Sequence, residues 1–145
     1  VEGEKLVLLC RAGGRAFALM AHTVVRVHGA TAFVAVADLG AHAVGVVNVA
    51  GQNVALVSAA SALGEARSAL EPTQRFVDIA DAGERWLLWV DEARDVIRAH
   101  EDQFDVLGTP ADAPIRSLLR LSQETVPVLN VAALAPKQVF ARAER

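Results

Sequence analysis

Three observations predict a mostly β fold made of two copies of one unit. Residues 6–20 and 76–90 share one layout, an apolar run, a glycine turn and a second apolar run, with Gly13 and Gly83 seventy positions apart (83 − 13 = 70). Residues 54–58 and 126–130 repeat again, each an apolar run ending on a polar residue, at a spacing of 72 (126 − 54 = 72). Short apolar runs alternate with regular turn signals, the pattern of small barrels or a sandwich. Duplication favours two small barrels face to face, each too small to enclose a useful cavity and filled with Val, Leu and Ala.

Residues 6–11 and 15–21 are β-compatible and meet through Ala12-Gly13-Gly14, where glycine permits the positive φ of a tight hairpin. Residues 23–27 are β-branched and continue as a strand or begin with a helical turn. Residues 30–37 are apolar with weak periodicity, broken by Asp38-Leu39-Gly40. Residues 44–49 and 54–57 form the clearest hairpin, turning at residues 50–53. Ser58 caps a short helix over 59–63 through its hydroxyl, and Gly64 suits the left-handed residue that closes it. Residues 65–73, charged and closed by Pro72, connect the lobes.

The second lobe repeats the plan. Strands at 75–81 and 84–90 pair across Ala82-Gly83, and residues 91–97 match the region after the first hairpin. Residues 101–114, with Gly108, Pro110 and Pro114, read as a polar surface loop. A last hairpin joins 118–121 to 126–129 by a turn at 122–125. Asn130 takes the capping place of Ser58. Pro136 opens a final helix from Lys137 to Glu144, with Val139 and Phe140 on its buried side. The reading is one domain over 1–145, with subdomains near 15–70 and 75–134 and terminal segments packing across.

Hydrophobic residues make up 53% of the chain, mostly Ala and Val, which implies generous burial and room for an apolar contact surface. A chain of this size buries roughly 68–70% of its unfolded surface, whereas an isolated half is marginal, so the halves need each other. No run approaches the ~18 uninterrupted apolar residues of a membrane span. The start, Val1-Glu2-Gly3-Glu4-Lys5, has no signal-peptide character. A net charge of −3, with 14 scattered basic residues and 5% aromatics, argues against nucleic-acid binding. The single cysteine, Cys10, reads as a buried, inert thiol of an intracellular protein.

Catalytic and cofactor chemistry find no footing. Gly40 and Gly45 have phosphate-loop spacing, yet no Gly-Lys-Ser/Thr follows, and Gly13-Gly14 is explained as a turn. His22, His28, His42 and His100 lack metal-ligand spacing. His22 and His28, six apart in a strand-like region, sit about 20 Å from each other. All four read as surface or interface histidines. Asp91, Glu92, Asp95, Glu101, Asp102 and Asp105 form the densest acidic stretch, without the glycine and ligand order of a calcium loop. They read as a solvated loop and helix start. Ser58 and Ser61 have no His/Asp pair nearby. The expectation is no enzyme: no catalytic residue, no metal and no cofactor.

The run His42-Ala43-Val44-Gly45-Val46-Val47-Asn48-Val49-Ala50-Gly51-Gln52-Asn53-Val54-Ala55-Leu56-Val57 resembles the signature of CheW-like domains. That signature is Gly-(Val/Ile)-x-Asn-Leu-Arg-Gly, then an apolar strand, an Asp and a short helix. Phe17-Ala18-Leu19 with Val24-Val25-Arg26-Val27-His28-Gly29 is similar to the family's Tyr/Phe-Gly-Ile and Val-Gln-Glu-Ile-Arg-Gly. Val90-Asp91-Glu92-Ala93-Arg94-Asp95-Val96-Ile97 is similar to its Val-Asp-x-Val-x-Glu-Val-Leu. In order and spacing the motifs cover about residues 5–134.

The resemblance implies two five-stranded SH3-like β-barrels on a shared hydrophobic core, in agreement with the repeat. It implies a non-enzymatic adaptor that couples the cytoplasmic tips of methyl-accepting chemotaxis receptors to the regulatory domain of a CheA-type histidine kinase. Its place would be the cytoplasm, at membrane receptor arrays, with contacts through exposed barrel surfaces and the groove between lobes. Candidate partner contacts carried over are Val24, Arg26 and Val27, and, at the signature turn, Asn48, Ala50 and Gly51. Turn geometry is an equal reading for Asn48 and Gly51, and core packing is a second reading for Val24 and Val27.

Three positions depart from the family: Ala50 stands for Arg, Arg26 for Glu, and Ser58 for Asp. Losing an acid and a base together strands neither charge. The departures point to an accessory coupler that binds receptors but not the kinase, or one serving a specialised pathway. Two alternatives stay open, a regulatory module from a kinase or a CheW–receiver fusion, and a small-molecule-binding β-barrel. A pocket with converging polar groups would mark the latter.

Overall fold

The computed structural model describes residues 3–137. Strands β1 (Glu4–Ala12), β2 (Arg15–Met20), β3 (Val24–Gly29), β4 (Val34–Ala35), β5 (Ala43–Val49) and β6 (Gln52–Ser58) lead into α1 (Ala59–Ala62). Strands β7 (Arg75–Asp81), β8 (Glu84–Val90), β9 (Glu92–His100), β10 (Phe104–Val106), β11 (Ile115–Arg120) and β12 (Thr125–Leu129) lead into α2 (Val131–Leu134). The fold is mostly β, in two six-stranded sheets ordered β9-β1-β2-β12-β11-β10 and β3-β7-β8-β6-β5-β4.

Each sheet is a copy of the other, pair for pair. Leu8↔Val96 in β1–β9 matches Val77↔Val27 in β7–β3, and Cys10↔Ala93 matches Ile79↔Val24, beyond a bulge present in both. Ala43↔Val57 and Gly45↔Leu56 in β5–β6 recur, bulge included, as Ile115↔Leu129 and Ser117↔Val128. The offset over the first three strands is 69 rather than seventy. The turn equivalent to Ala82-Gly83 is Gly13-Gly14, so Gly14 matches Gly83 (83 − 14 = 69).

The sheets do not follow the two halves of the chain. Hairpin β1–β2 opens the first repeat but lies in the sheet of β9–β12, and β7–β8 lies between β3 and β6. A division near residues 70–75 separates the repeats along the chain while cutting both sheets. Parallel pairing explains the exchange. β6 pairs in parallel with β8, and β12 with β2, and parallel neighbours need a long crossover that an adjacent hairpin cannot supply.

Each sheet holds six strands where five were expected, and neither closes into a barrel among the described residues. The edge strands, β3 and β4 in one sheet and β9 and β10 in the other, are consecutive in the chain. Loop 30–33 and a 3-10 turn at Glu101–Gln103 carry the chain round each corner, in place of a ladder.

The two hairpins are buried on both faces. Trp86, Leu88 and Val90 of β8 enter a core shared with Leu8, Cys10, Phe17 and Leu19 of the facing sheet. Leu87 and Trp89 point the other way, into a core held by their own sheet with Phe76, Leu56 and Val47. Ala18 of β2 likewise joins Val7, Leu119 and Val126. Complete burial contributes roughly 1.5–3 kcal/mol per large apolar side chain, so the exchange ties both sheets to one shared core.

Other elements refine the sequence reading. Ser58 Oγ accepts from Ser61 N at 3.1 Å, the expected cap of α1. Asn130 does not cap α2. Its Nδ2 donates instead to the carbonyls of Ala111 and Ala113, each at 3.1 Å, because loop 107–114 packs over it. The turn of the clearest hairpin tightens to Ala50-Gly51, and the loop after β9 contains β10. The helix expected over 137–144, with Val139 and Phe140, lies outside the described residues beyond Lys137.

Candidate functional site

The two sheets differ in the side chains that corresponding strand positions carry on one face. Arg26 and His28 of β3, Asp78 of β7, Arg85 and Leu87 of β8 and Ala50 at the β5–β6 turn line a cavity of about 350 Å³. Strand alternation sets this up, since paired residues such as Arg26 and Asp78 project to one face. The Asp78 side chain is only 4% exposed. Arg85 donates to it from Nε at 3.3 Å and from Nη2, and His28 Nε2 stands 3.4 Å from Oδ2. A carboxylate this buried requires such partners, because an unpaired buried charge is strongly destabilising.

The sister sheet carries Leu9, Ala16 and Ile97 at the places of Asp78, Arg85 and His28, and all three pack on its apolar core. One backbone therefore has two fillings: apolar and packed in one sheet, charged and open in the other. Beside the opening, Asn48, Ala50, Gly29 and Phe76 line an adjoining depression of about 410 Å³.

A second polar cluster is structural. Buried Gln74 accepts from Trp89 Nε1 at 3.0 Å and donates to Asp91 Oδ1 at 3.1 Å and Ser68 Oγ at 2.9 Å. Asp91 Oδ2 accepts from Gly13 N at 2.9 Å, so the network fastens the connector to both sheets. Of the remaining acids, Glu92, Asp102 and Asp105 form exposed pairs with Arg94, His100 and Arg120. Among the described residues no group of three or more His, Cys, Asp or Glu is placed to hold a metal, and no helix is long and apolar enough to cross a membrane.

The family model described as CheW-like domain matches residues 6–139. The chain belongs to the CheW-like domain family. Its fold is similar to that of the scaffolding protein TtCheW from Thermoanaerobacter tengcongensis, with a TM-score of 0.76, at 13% identity over 87% of this chain and 88% of that one. No curated protein sequence matches it.

In this CheW-like chain three of the six candidate contacts converge. Arg26 and Ala50 line the charged cavity, and Asn48 and Ala50 line the depression beside it. Val27 is 42% exposed but alternates to the opposite face of β3, and Val24 packs against the shared core. Gly51, at φ 87°, donates its N–H to Asn48 Oδ1 at 2.9 Å, so turn geometry employs both residues. Gly45 of the signature is a close approach: a Cβ there would lie 2.1 Å from the Val34 carbonyl oxygen, so only glycine lets β4 lie on β5.

The sequence pattern alone singles out neither Asp78 nor Arg85, and His28 reads from it as a surface or interface histidine. The available signal was phase. Asp78 shares a strand face with Phe76 in a run that is otherwise apolar, and the repeat aligned at 69 sets it against Leu9.

Proposed function

We propose that this CheW-like domain is a non-enzymatic chemosensory adaptor. It holds the cytoplasmic tip of a methyl-accepting receptor and, by the family pattern, the regulatory domain of a CheA-type histidine kinase, in the cytoplasm beside receptor arrays. Family membership over residues 6–139 is the observation that carries this reading. The similar fold of a protein named as a scaffold supports it. So does the surface. Val27, Val34, Val96 and Val106 are exposed, one on each of the four edge strands β3, β4, β9 and β10. Sheet edges that offer unpaired backbone beside apolar side chains suit a docking helix or strand.

Val24, Arg26, Val27, Asn48, Ala50 and Gly51 remain the proposed contacts. Arg26 and Ala50 stand where the family has an acid and a base, and this favours an accessory coupler with receptor contacts and an altered kinase face. Calorimetry of the purified protein with a receptor cytoplasmic fragment and a kinase regulatory domain from its own source is the test. Saturable binding to the receptor fragment is expected, and no binding to either partner removes the role. Arg26→Glu with Ala50→Arg should shift preference toward the kinase domain; an unchanged binding profile removes these two positions from the contact.

A further inference from the structure

We propose that the open end of the β3–β7–β8 face receives one acidic side chain, Glu or Asp, from a partner protein, seated against Arg26 and His28 beside Ala50. The pocket's role rests on the adaptor reading above and adds the chemistry of its contact.

Charge points to an acid. Among the described residues the lining carries Arg26, Arg85 and His28 against a single carboxylate, Asp78. Arg85 and His28 are directed at Asp78, whereas Arg26 makes no ion pair among the described residues. An incoming carboxylate would accept paired, charge-assisted hydrogen bonds from the Arg26 guanidinium. Val49 and Leu87 add apolar wall to the cavity beside the charged groups.

Size restricts the occupant. About 350 Å³ lies at the small end of ligand pockets, room for a side chain with its waters. Ala50 contributes only a methyl at the mouth, so the turn does not plug it.

The sister sheet shows that the fold does not require this polar set. It places Leu9, Ala16 and Ile97 at the corresponding positions, and Asp95 at that of Arg26. Burying Asp78 carries a desolvation cost that the apolar filling avoids. In the proposed role Asp78 is a positioning residue: it engages Arg85 and His28 and leaves Arg26 to meet the incoming acid.

Two arms test the proposal. In the first, the ¹⁵N-labelled protein is titrated with N-acetyl-glutamate amide and with its neutral isostere, N-acetyl-glutamine amide. Saturable shifts at Arg26, His28, Val49 and Ala50 are expected with the glutamate probe alone, weakened about tenfold in Arg26→Gln and reduced by salt. In the second, calorimetry with the receptor and kinase fragments compares the protein with Arg26→Gln and with His28→Ile/Asp78→Leu/Arg85→Ala, which installs the sister sheet's filling. Each variant should lose about tenfold in affinity for the partner that supplies the acid. Equal response to both probes, or partner affinity indifferent to Arg26→Gln, overturns the pocket and leaves the adaptor reading standing. Saturable glutamate binding without affinity for either fragment keeps the pocket and overturns the adaptor reading.

Discussion

Cys10 is 1% exposed in the core shared by both sheets, and desolvation pushes its thiol pKa from 9.0 to about 12. The native state therefore keeps this proton where the unfolded chain releases it. Stability is unaffected well below pH 9 and falls as pH climbs from about 9 toward about 12, by up to about 1.4 kcal/mol per pH unit. The difference in urea stability between the protein and Cys10→Val isolates this slope, and a difference that stays flat across the window refutes it. Ala50 is a second residue under local constraint, held at φ 51° in a two-residue turn that favours Asn-Gly. Ala50→Asn should raise stability by about 0.5–1 kcal/mol. Asn48→Ala should lower it by about 1 kcal/mol by removing the hydrogen bond from Gly51. Thermal and urea melts measure both.

Among the elements, the hairpins were legible because their alternation and glycine turns are local signals. The short edge strands were not. β4 has two residues and β10 three, too few for any period to register. Their existence depends on neighbours, as at Gly45, which admits the Val34 carbonyl. The charged pair lining the cavity also belongs to this scale, since Asp78 and Arg85 come from the two strands of one hairpin. Asp78→Ala should cost about 2 kcal/mol by removing the buried carboxylate that accepts from Arg85 and faces His28. Asp78→Leu with Arg85→Ala, the pair found in the sister sheet, should cost less than that single change. Urea unfolding decides, and a larger loss in the double variant would show that the two sheets do not tolerate the same filling.

Across the whole molecule, exchange of hairpins makes each repeat incomplete. In the order β3-β7-β8-β6, the borrowed hairpin lies between the strands it joins, so removing it severs β3 from β6. Fragments 1–70 and 71–145 should each lack native far-UV circular dichroism and dispersed amide resonances, and mixing them should restore both. A half that folds alone contradicts the exchange. The expectation that the halves need each other came from size alone; the topology supplies a stronger cause, because neither half contains the centre of its own sheet.

Repeat, turns, buried alternation and the family motifs are all written in the order of the residues, since each depends on near neighbours in the chain or on a spacing that survives folding. Three features emerged only once the strands were paired: the sheet each hairpin enters, the true offset of 69, and the meeting of Arg26, Ala50 and Asp78 around one opening. Pairing between distant strands obeys the shared core and the need for a crossover, and neither leaves a periodic trace in the residues themselves.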